Sequence, residues 1–424
     1  MNHREHRGHR ENCFSNYILL ILQSIFPCAP FPSHLVLERQ PWNLIPDTSY
    51  WFLRLICGIL PPMSTAENPL MEIIADEIVR DGPISFARYM ELCLYHPQHG
   101  YYQRGLTVTG REGDFYTSPH VHRFFGASIA LWIEARCREL EIEKPAVVEL
   151  GPGNGQLSRD ILDQWATEPP GMEFSLTLVE GSGAQREYLS GLLSPDGADV
   201  LSPEDWDAIP SFDGIVIANE FFDALPLQIL ARENGELRQV RVEVENGALR
   251  EILALLEPEQ LDDALAGAAQ ALPEGHRMEF SSGWRDWLER IGEKLNTGSL
   301  LIIDYGDTLE ALTAPWRRSG TLRCYSQHRV DSDPFEDPGN KDITAHLNFT
   351  LMEAWARELG FVVDLFTSQS SYLVRAGILD LLARLMEGKE DDPETVKEWL
   401  TIKNLIDDEG GMGEVFKVMV LSKG

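Results

Sequence analysis

The chain has 424 residues, 43% of them apolar, which suffices to bury a substantial core as two or three units or as one domain with large insertions. Its net charge of −31 opposes binding to nucleic acid or to anionic membrane and weakly favours cationic partners. Six cysteines, Cys13, Cys28, Cys57, Cys93, Cys137 and Cys324, are scattered without a CxxC pair; they suggest neither a zinc site nor a disulfide framework and fit a reducing compartment.

The first 62 residues hold five Arg, no Lys and four acids, a net +1, against 31 basic and 63 acidic residues from Met63 on. Their apolar stretches, "YILLILQSIF" and "YWFLRLICGIL", are too short or interrupted for a span of about 20 residues, so no stable membrane insertion is expected. The composition step points to a start at Met63, with residues 1–62 a non-native or disordered extension; a targeting or anchoring segment is the alternative. Residues 63–143 then read as a helical region with a covering loop. "PLMEIIADEIVRDGPISFARYMELCLYH" predicts two helices broken at Asp81-Gly82-Pro83, and after Ser118-Pro119 a strongly amphipathic helix is expected.

Strand and helix alternate next. Ala146 to Leu150, Phe174 to Val179, Gly214 to Ala218 and Ser299 to Asp304 are short apolar runs closed by turn residues, as buried parallel strands should be. The expectation is a Rossmann-like α/β domain with a doubly wound sheet, split into 144–235 and 284–424 by an inserted hairpin and helix over 236–283, a substrate-side subdomain. The stretch from "GTLRCYSQHRV" to "NKDITAH" reads as irregular, and the strands "FVVDLFTS" and "VFKVMVLSK" close the fold.

In "AVVELGPGNGQ" the glycines are spaced Gly151-x-Gly153-x-Gly155, and Gln156 stands where a dinucleotide fingerprint needs its third glycine. Glu149 just before the turn would oppose a pyrophosphate but suits a cationic, phosphate-free nucleoside such as S-adenosylmethionine. Glu180 closes the second strand, placed to accept ribose hydroxyls. A third strand ends in "IVIANEFFDALPL". The carboxyl ends of parallel strands are where such sheets bind ligands, so Asn219, Glu220 and Asp223 are the expected catalytic residues, holding an amine or guanidinium for in-line attack on the methyl. Phe221 and Phe222 are open between core packing and stacking on a planar cation. The lesser alternatives are that Glu149 is an exposed strand-end acid and that Asp223 caps the helix that follows. No metal is expected: His120 and His122 lack further ligand spacing, and "DSDPFEDPG" lacks the EF-hand order.

Seven ordered blocks, "GPISFARYMELCLYHPQHGYY", "GDFYTSP", "VVELGPGNG", "ANEFFDALP", "LLIIDYG", "DPGNKDITAHLNF" and "SQSSYLVRAGI", resemble the MidA-like (NDUFAF7) family. The resemblance implies a class I methyltransferase with a seven-stranded sheet and S-adenosyl-L-methionine as cofactor. For the family's mitochondrial member it implies symmetric dimethylation of an arginine in a respiratory complex I subunit. By position it assigns Asp114, Tyr116 and Thr117 to a loop closing over the cofactor, and Glu149, Gly151, Gly153, Gly155 and Glu180 to the cofactor site. Asn154 stands where the family often has a basic residue, and His120 where it has an acid. The function expected is methyl transfer to a nitrogen, foremost a protein arginine, with a homodimer admitted, in the cytoplasm of a bacterium or the mitochondrial matrix of a eukaryote. An amide or small-molecule N-methyltransferase, or a cofactor-binding assembly factor with little turnover, are the alternatives.

Overall fold

The computed structural model describes residues 68–104, 118–167, 173–256, 261–326, 329–389, 392–407 and 411–424; the extension expected over 1–62 lies outside them. Helices α1 (Pro69–Asp81) and α2 (Phe86–Tyr95) flank the two-residue strand β1 (Ile84–Ser85). Asn68 caps α1 by accepting the Leu70 and Met71 N–H groups at 3.0 and 3.2 Å, and Gly82 at φ +84° ends it. After α3 (Ser118–Val121) and α4 (Phe124–Glu139) comes the alternating series β2 (Ala146–Leu150), α5 (Gln156–Thr167), β3 (Ser175–Val179), α6 (Gly183–Leu193), β4 (Ala198–Leu201) and β5 (Phe212–Asn219). The inserted stretch supplies β6 (Gln228–Glu233), β7 (Glu236–Glu245), β8 (Ala248–Leu255), α7 (Asp263–Ala271) and β9 (Arg277–Phe280). The chain then runs through α8 (Ser282–Lys294), β10 (Leu295–Asp307), α9 (Leu309–Leu312), β11 (Arg323–Ser326), β12 (Arg329–Asp331), β13 (Asp342–Thr344), β14 (Leu347–Asn348) and α10 (Phe349–Glu358). It closes with β15 (Val362–Ser368), α11 (Gln369–Arg375), α12 (Ile378–Met386), α13 (Pro393–Ile406) and β16 (Phe416–Lys423).

The central sheet has the order β15-β16-β10-β5-β2-β3-β4, with β14 added beside β10. Strands β10, β5, β2, β3 and β4 are mutually parallel, and β16 runs antiparallel to both of its neighbours. This is the doubly wound, seven-stranded sheet expected, and the winding reverses at β2. Both faces are covered: Val147, Ile215, Ile217, Leu301 and Ile303 pack into one core and Val148, Val216, Ala218, Leu300 and Ile302 into the other. That two-sided burial is why these strands read as continuous apolar runs. Each buried aliphatic side chain contributes roughly 1.5–3 kcal/mol.

Three local readings change. Helix α4 is not amphipathic over its first two turns: Phe124 through Ala130 are all buried, because α5 and the closing helices cover the side turned away from the sheet. Its Gly126 is the close-approach point, since a Cβ there would lie 2.5 Å from Asp160 Cβ. The insertion is more than a hairpin: β1-β7-β6-β9, with β8 on β7, form a five-stranded sheet to which the N-terminal segment contributes Ile84 opposite Val242. Its hairpins turn at Asn234-Gly235 (φ +55°, +80°) and Asn246-Gly247 (φ +53°, +79°), the consecutive left-handed pair a two-residue hairpin favours. The stretch expected to be irregular holds a small antiparallel sheet, β12-β11-β13. Two of its strands are only three residues long, below what periodicity reveals. Strand β4, "ADVL", is likewise absent from the expected set.

Candidate active site

The parallel strands β2, β3, β5 and β10 end side by side, and their last residues bring the acids together. Gly151, Gly153 and Gly155 all take left-handed φ (+63°, +55°, +77°), which carries the backbone from β2 into α5 in one tight turn. The Gly151 N–H donates to Val179 O of the neighbouring strand at 2.9 Å, and Gln185 of α6 donates to Gly153 O. There is no room for a side chain at two of the three: a Cβ would sit 2.9 Å from Phe221 Cδ2 at Gly151 and 2.8 Å from Leu189 Cδ2 at Gly155.

Glu149 lies almost wholly buried beneath this turn and accepts a hydrogen bond from Ser158 Oγ of α5. Burial pushes its carboxyl up to about 7; the Ser158 bond opposes this, and Glu180 adds to it. Glu180 follows β3, with Oε1 accepting the Ser182 N–H at 2.7 Å, and burial raises it too.

At the end of β5, Asn219 lies opposite Ile303 of β10, and the Glu220 N–H donates to Ile303 O at 2.8 Å. That bond helps hold Glu220 at φ +50°, a left-handed conformation costing a non-glycine residue about 1–3 kcal/mol and concentrated at functional sites. Asn219 Nδ2 donates to Glu220 Oε1 at 3.4 Å, while Asn219 Oδ1 is buried with no partner among the described residues. Burial, then Asp223, push Glu220 up to about 8, against Asn219 and the Ser118 N–H. Asp223 is pushed up to about 6 by burial, opposed first by the 3.0 Å bond from Thr344 Oγ1. Phe222 is core, with its carbonyl accepting Trp284 Nε1–H at 2.8 Å. Phe221 is half-buried, edge-on to Trp287 at 5.2 Å, and touches the glycine turn.

Four further groups complete the site. Asp304, fully buried at the end of β10, accepts the Phe222, Asp223 and Tyr305 N–H groups at 3.1, 3.2 and 2.8 Å, so it sets the bend of the Asn219 to Pro226 segment. Burial, then Asp223 and Glu220, hold it well above the carboxylate range. Tyr95 of α2 donates to Ala224 O at 2.8 Å, Tyr102 donates to Asp342 Oδ1 at 2.8 Å, and the two rings lie 5.5 Å apart. Burial, then Asp342, Asp223 and Glu180, raise Tyr95, which ties the N-terminal helices to both halves of the site. Asp304 could have been found as the acid that ends a parallel strand; Tyr95, Tyr102 and Asp342 come from segments whose convergence no local pattern signals.

Asp114, Tyr116 and Thr117 lie outside the described residues; Ser118, next to them, is buried and donates its N–H to Glu220. Of the HxH pair, His122 is 4.0 Å from Glu398. The acidic loop is neutralised from within: Lys341 Nζ reaches Asp331 Oδ2 at 2.8 Å and Glu336 Oε2 at 3.0 Å. Among the described residues no group of three metal-type ligands occurs.

The arrangement fits a nucleoside that carries positive charge and no phosphate. Two acids, the buried Glu149 and the half-buried Glu180, border a turn of left-handed glycines, and the unpartnered Asn219 Oδ1 offers an acceptor. Comparison with known proteins gives the same chemistry. The family model "Putative S-adenosyl-L-methionine-dependent methyltransferase" matches residues 128–367. Protein arginine methyltransferase NDUFAF7 homolog, mitochondrial, of Drosophila melanogaster is 30% identical over 85% of this chain and 86% of its own length. Its Xenopus tropicalis counterpart is 27% identical over 84% and 86%. A Burkholderia thailandensis protein crystallised with S-adenosyl-homocysteine superposes with a TM-score of 0.75 at 29% identity, covering 86% of this chain and 95% of that one. The chain belongs to this family of S-adenosyl-L-methionine-dependent methyltransferases, and S-adenosyl-L-methionine is its cofactor.

Proposed function

We propose that the chain methylates a side-chain nitrogen of arginine in a protein partner. The observation that carries this reading is the chemistry of the acceptor side: Glu220, Asp223 and Asp304 gather at the carboxyl ends of β5 and β10 with tyrosines and with Asp342 of β13, and burial holds the first three protonated more readily than ordinary carboxyls. Such a site is poorly satisfied alone and is completed by a delocalised cation that can donate in a fork. The relatives' printed names, protein arginine methyltransferase, agree with it.

When bound, S-adenosylmethionine supplies a methyl on a positively charged sulphur. In this reading Gly151, Gly153 and Gly155 let the backbone approach the cofactor, Glu149 faces its ammonium across the turn, and Glu180 accepts its ribose hydroxyls. Asp114, Tyr116 and Thr117 belong to the loop expected to cover it. Glu220 and Asp223 grip the guanidinium and orient one nitrogen in line with the methyl; Asn219 accepts an N–H from it; one of the carboxylates takes the proton that the methylated nitrogen sheds. Rate comes from alignment of two reactive partners, an effect worth up to about 7–11 kcal/mol in well-oriented systems. The insertion over 236–283 borders the acceptor side as a substrate subdomain. The mitochondrial member of the family suggests a complex I subunit as the partner, and the free, buried Cys93, Cys137 and Cys324 fit a reducing compartment. Among the described residues no helix is long and apolar enough to cross a membrane.

The test is transfer of labelled methyl from S-adenosylmethionine into proteins of a cell extract by the full chain and by Glu220→Gln. Incorporation that the substitution reduces at least a hundredfold, roughly the effect of one well-placed catalytic group, supports the reading. Cofactor binding without incorporation would leave a cofactor-bound assembly factor instead.

A further inference from the structure

Beside the acidic acceptor site the chain carries an opposite charge. The loop after α9 reads "APWRRSG" and exposes Trp316 to 82%, the most open large aromatic among the described residues. Arg317 and Arg318 follow it, and Arg323 opens β11 across from Thr344, the residue whose hydroxyl holds Asp223. Arg317 Nη1 lies 3.5 Å from His346 Nδ1, and the His346 ring is 6.3 Å from the ring of Tyr305, which adjoins Asp304. Arg317 and Arg323 therefore stand at one rim of the site, and Arg318 follows Arg317 in the same exposed loop.

The rim arginines lack the carboxylate partners that several other surface arginines have. Arg88, Arg250, Arg277 and Arg285 sit on carboxylates, as suits a chain of net charge −31, whereas no ion pair engages Arg317, Arg318 or Arg323 among the described residues. The local potential is felt nearby: burial, then Arg317 and Arg323, hold His346 down to about 4 against Asp307. The loop is also preformed. Arg317 N donates to Ala314 O at 2.8 Å, Gly320 N to Arg317 O at 3.1 Å, and Arg277 N to Arg318 O at 3.0 Å. Buried Glu279 accepts the Thr321 N–H and hydroxyl at 3.1 Å each, directly beneath Gly320 at φ +77°, where a Cβ would collide with it.

We infer that Trp316, Arg317, Arg318 and Arg323 dock an acidic segment of the substrate protein, close in its sequence to the residue that enters the acceptor site. The charge pattern of the two surfaces selects a dipolar peptide: a cation for the carboxylates of the pocket, and carboxylates with an apolar neighbour for the rim. Guanidiniums without a carboxylate partner beside an open indole are the side chains enriched where binding energy concentrates in protein interfaces. The acidic flank rests on the arginine reading only for what fills the pocket; the rim's preference stands on its own charges.

The experiment uses the full chain and three short fluorescein-labelled peptides: one with glutamates and leucine flanking a central arginine, one with that arginine replaced by alanine, and one with the glutamates replaced by glutamine. Fluorescence anisotropy is read at low salt, with a short DNA duplex of the same charge as a fourth probe. Wild type should bind both acidic peptides better than the glutamine one, and Arg317→Glu with Arg318→Glu and Arg323→Glu should weaken both about tenfold, the summed effect of three surface ion pairs. Trp316→Ala should weaken them too, and unchanged thermal melts should show both variants folded. Equal binding by wild type and the reversed variant, no preference for the acidic peptides, or tighter rim-dependent binding of the duplex overturns the inference. Rim-dependent binding of the arginine-free peptide without methylarginine in any product keeps the rim and removes the arginine reading; methylarginine with an inert rim does the reverse.

Discussion

In the proposed reading Glu220 carries much of the chemistry of the acceptor side. Its carboxyl is pushed up to about 8 by burial and Asp223, so in the free protein it holds a proton at neutral pH that its unfolded counterpart has lost. The folded state binds more protons than the unfolded one between about pH 4.5 and 8, so this group's contribution to stability is present at low pH and fades as pH rises through that window. Glu220→Gln, neutral at every pH, should raise the stability at pH 8 by an amount on the order of a few kcal/mol, read as a higher melting temperature, and lose that advantage toward pH 5, while methyl transfer collapses. A variant no more stable than wild type at pH 8 would mean that the carboxyl is not buried in this way. Glu149, pushed up to about 7, predicts a matching effect on the cofactor. A cationic ligand favours the ionised acid, so affinity for S-adenosylmethionine should fall about tenfold from pH 8 to pH 6 as this group takes up its proton. Calorimetry should give a flatter profile for Glu149→Gln, and an unaltered slope would assign the acid to Ser158 and the turn alone. At Gly151, φ +63° and the Phe221 ring 2.9 Å from any Cβ forbid a side chain. Gly151→Ala should therefore cost about 1–3 kcal/mol and weaken S-adenosylhomocysteine binding at least tenfold, read by titration.

The elements divide by how local their causes are. Strands β2, β3, β5 and β10 are legible from their apolar runs because both faces of a parallel sheet are buried, and Asn219, Glu220 and Asp223 follow from where such a strand must end. Helix α4 misled because its cover comes from α5 and from helices more than two hundred residues downstream, none of which a pattern within "FFGASIALWIEARCRE" can register. The same holds for β13, whose Thr344 and Asp342 join the site only because three short strands pair across the chain. Gly126 records this packing: Gly126→Leu would drive its side chain into Asp160 and the Leu157 carbonyl. Over-packing of this kind costs about 1–3 kcal/mol or more, so the melting temperature should drop by several degrees with cofactor affinity per folded molecule retained. A melt identical to wild type would show that α4 and α5 have slack between them.

At the scale of the whole molecule, the described residues of an already acidic protein gather six acids, Glu149, Glu180, Glu220, Asp223, Asp304 and Asp342, in one site, an arrangement that lowers stability and that an arriving cation relieves. Cofactor and acceptor both carry positive charge in this account, and the strand-end acids answer one each: Glu149 and Glu180 on the cofactor side, Glu220 and Asp223 on the acceptor side. Mass spectrometry of a protein methylated by the full chain, with peptide fragmentation locating the methyl, tests that division most directly. The account predicts mass added on a guanidinium nitrogen of arginine, absent when Glu220→Gln replaces the wild type. Methyl found on a glutamine amide, or only on a small metabolite, would contradict it.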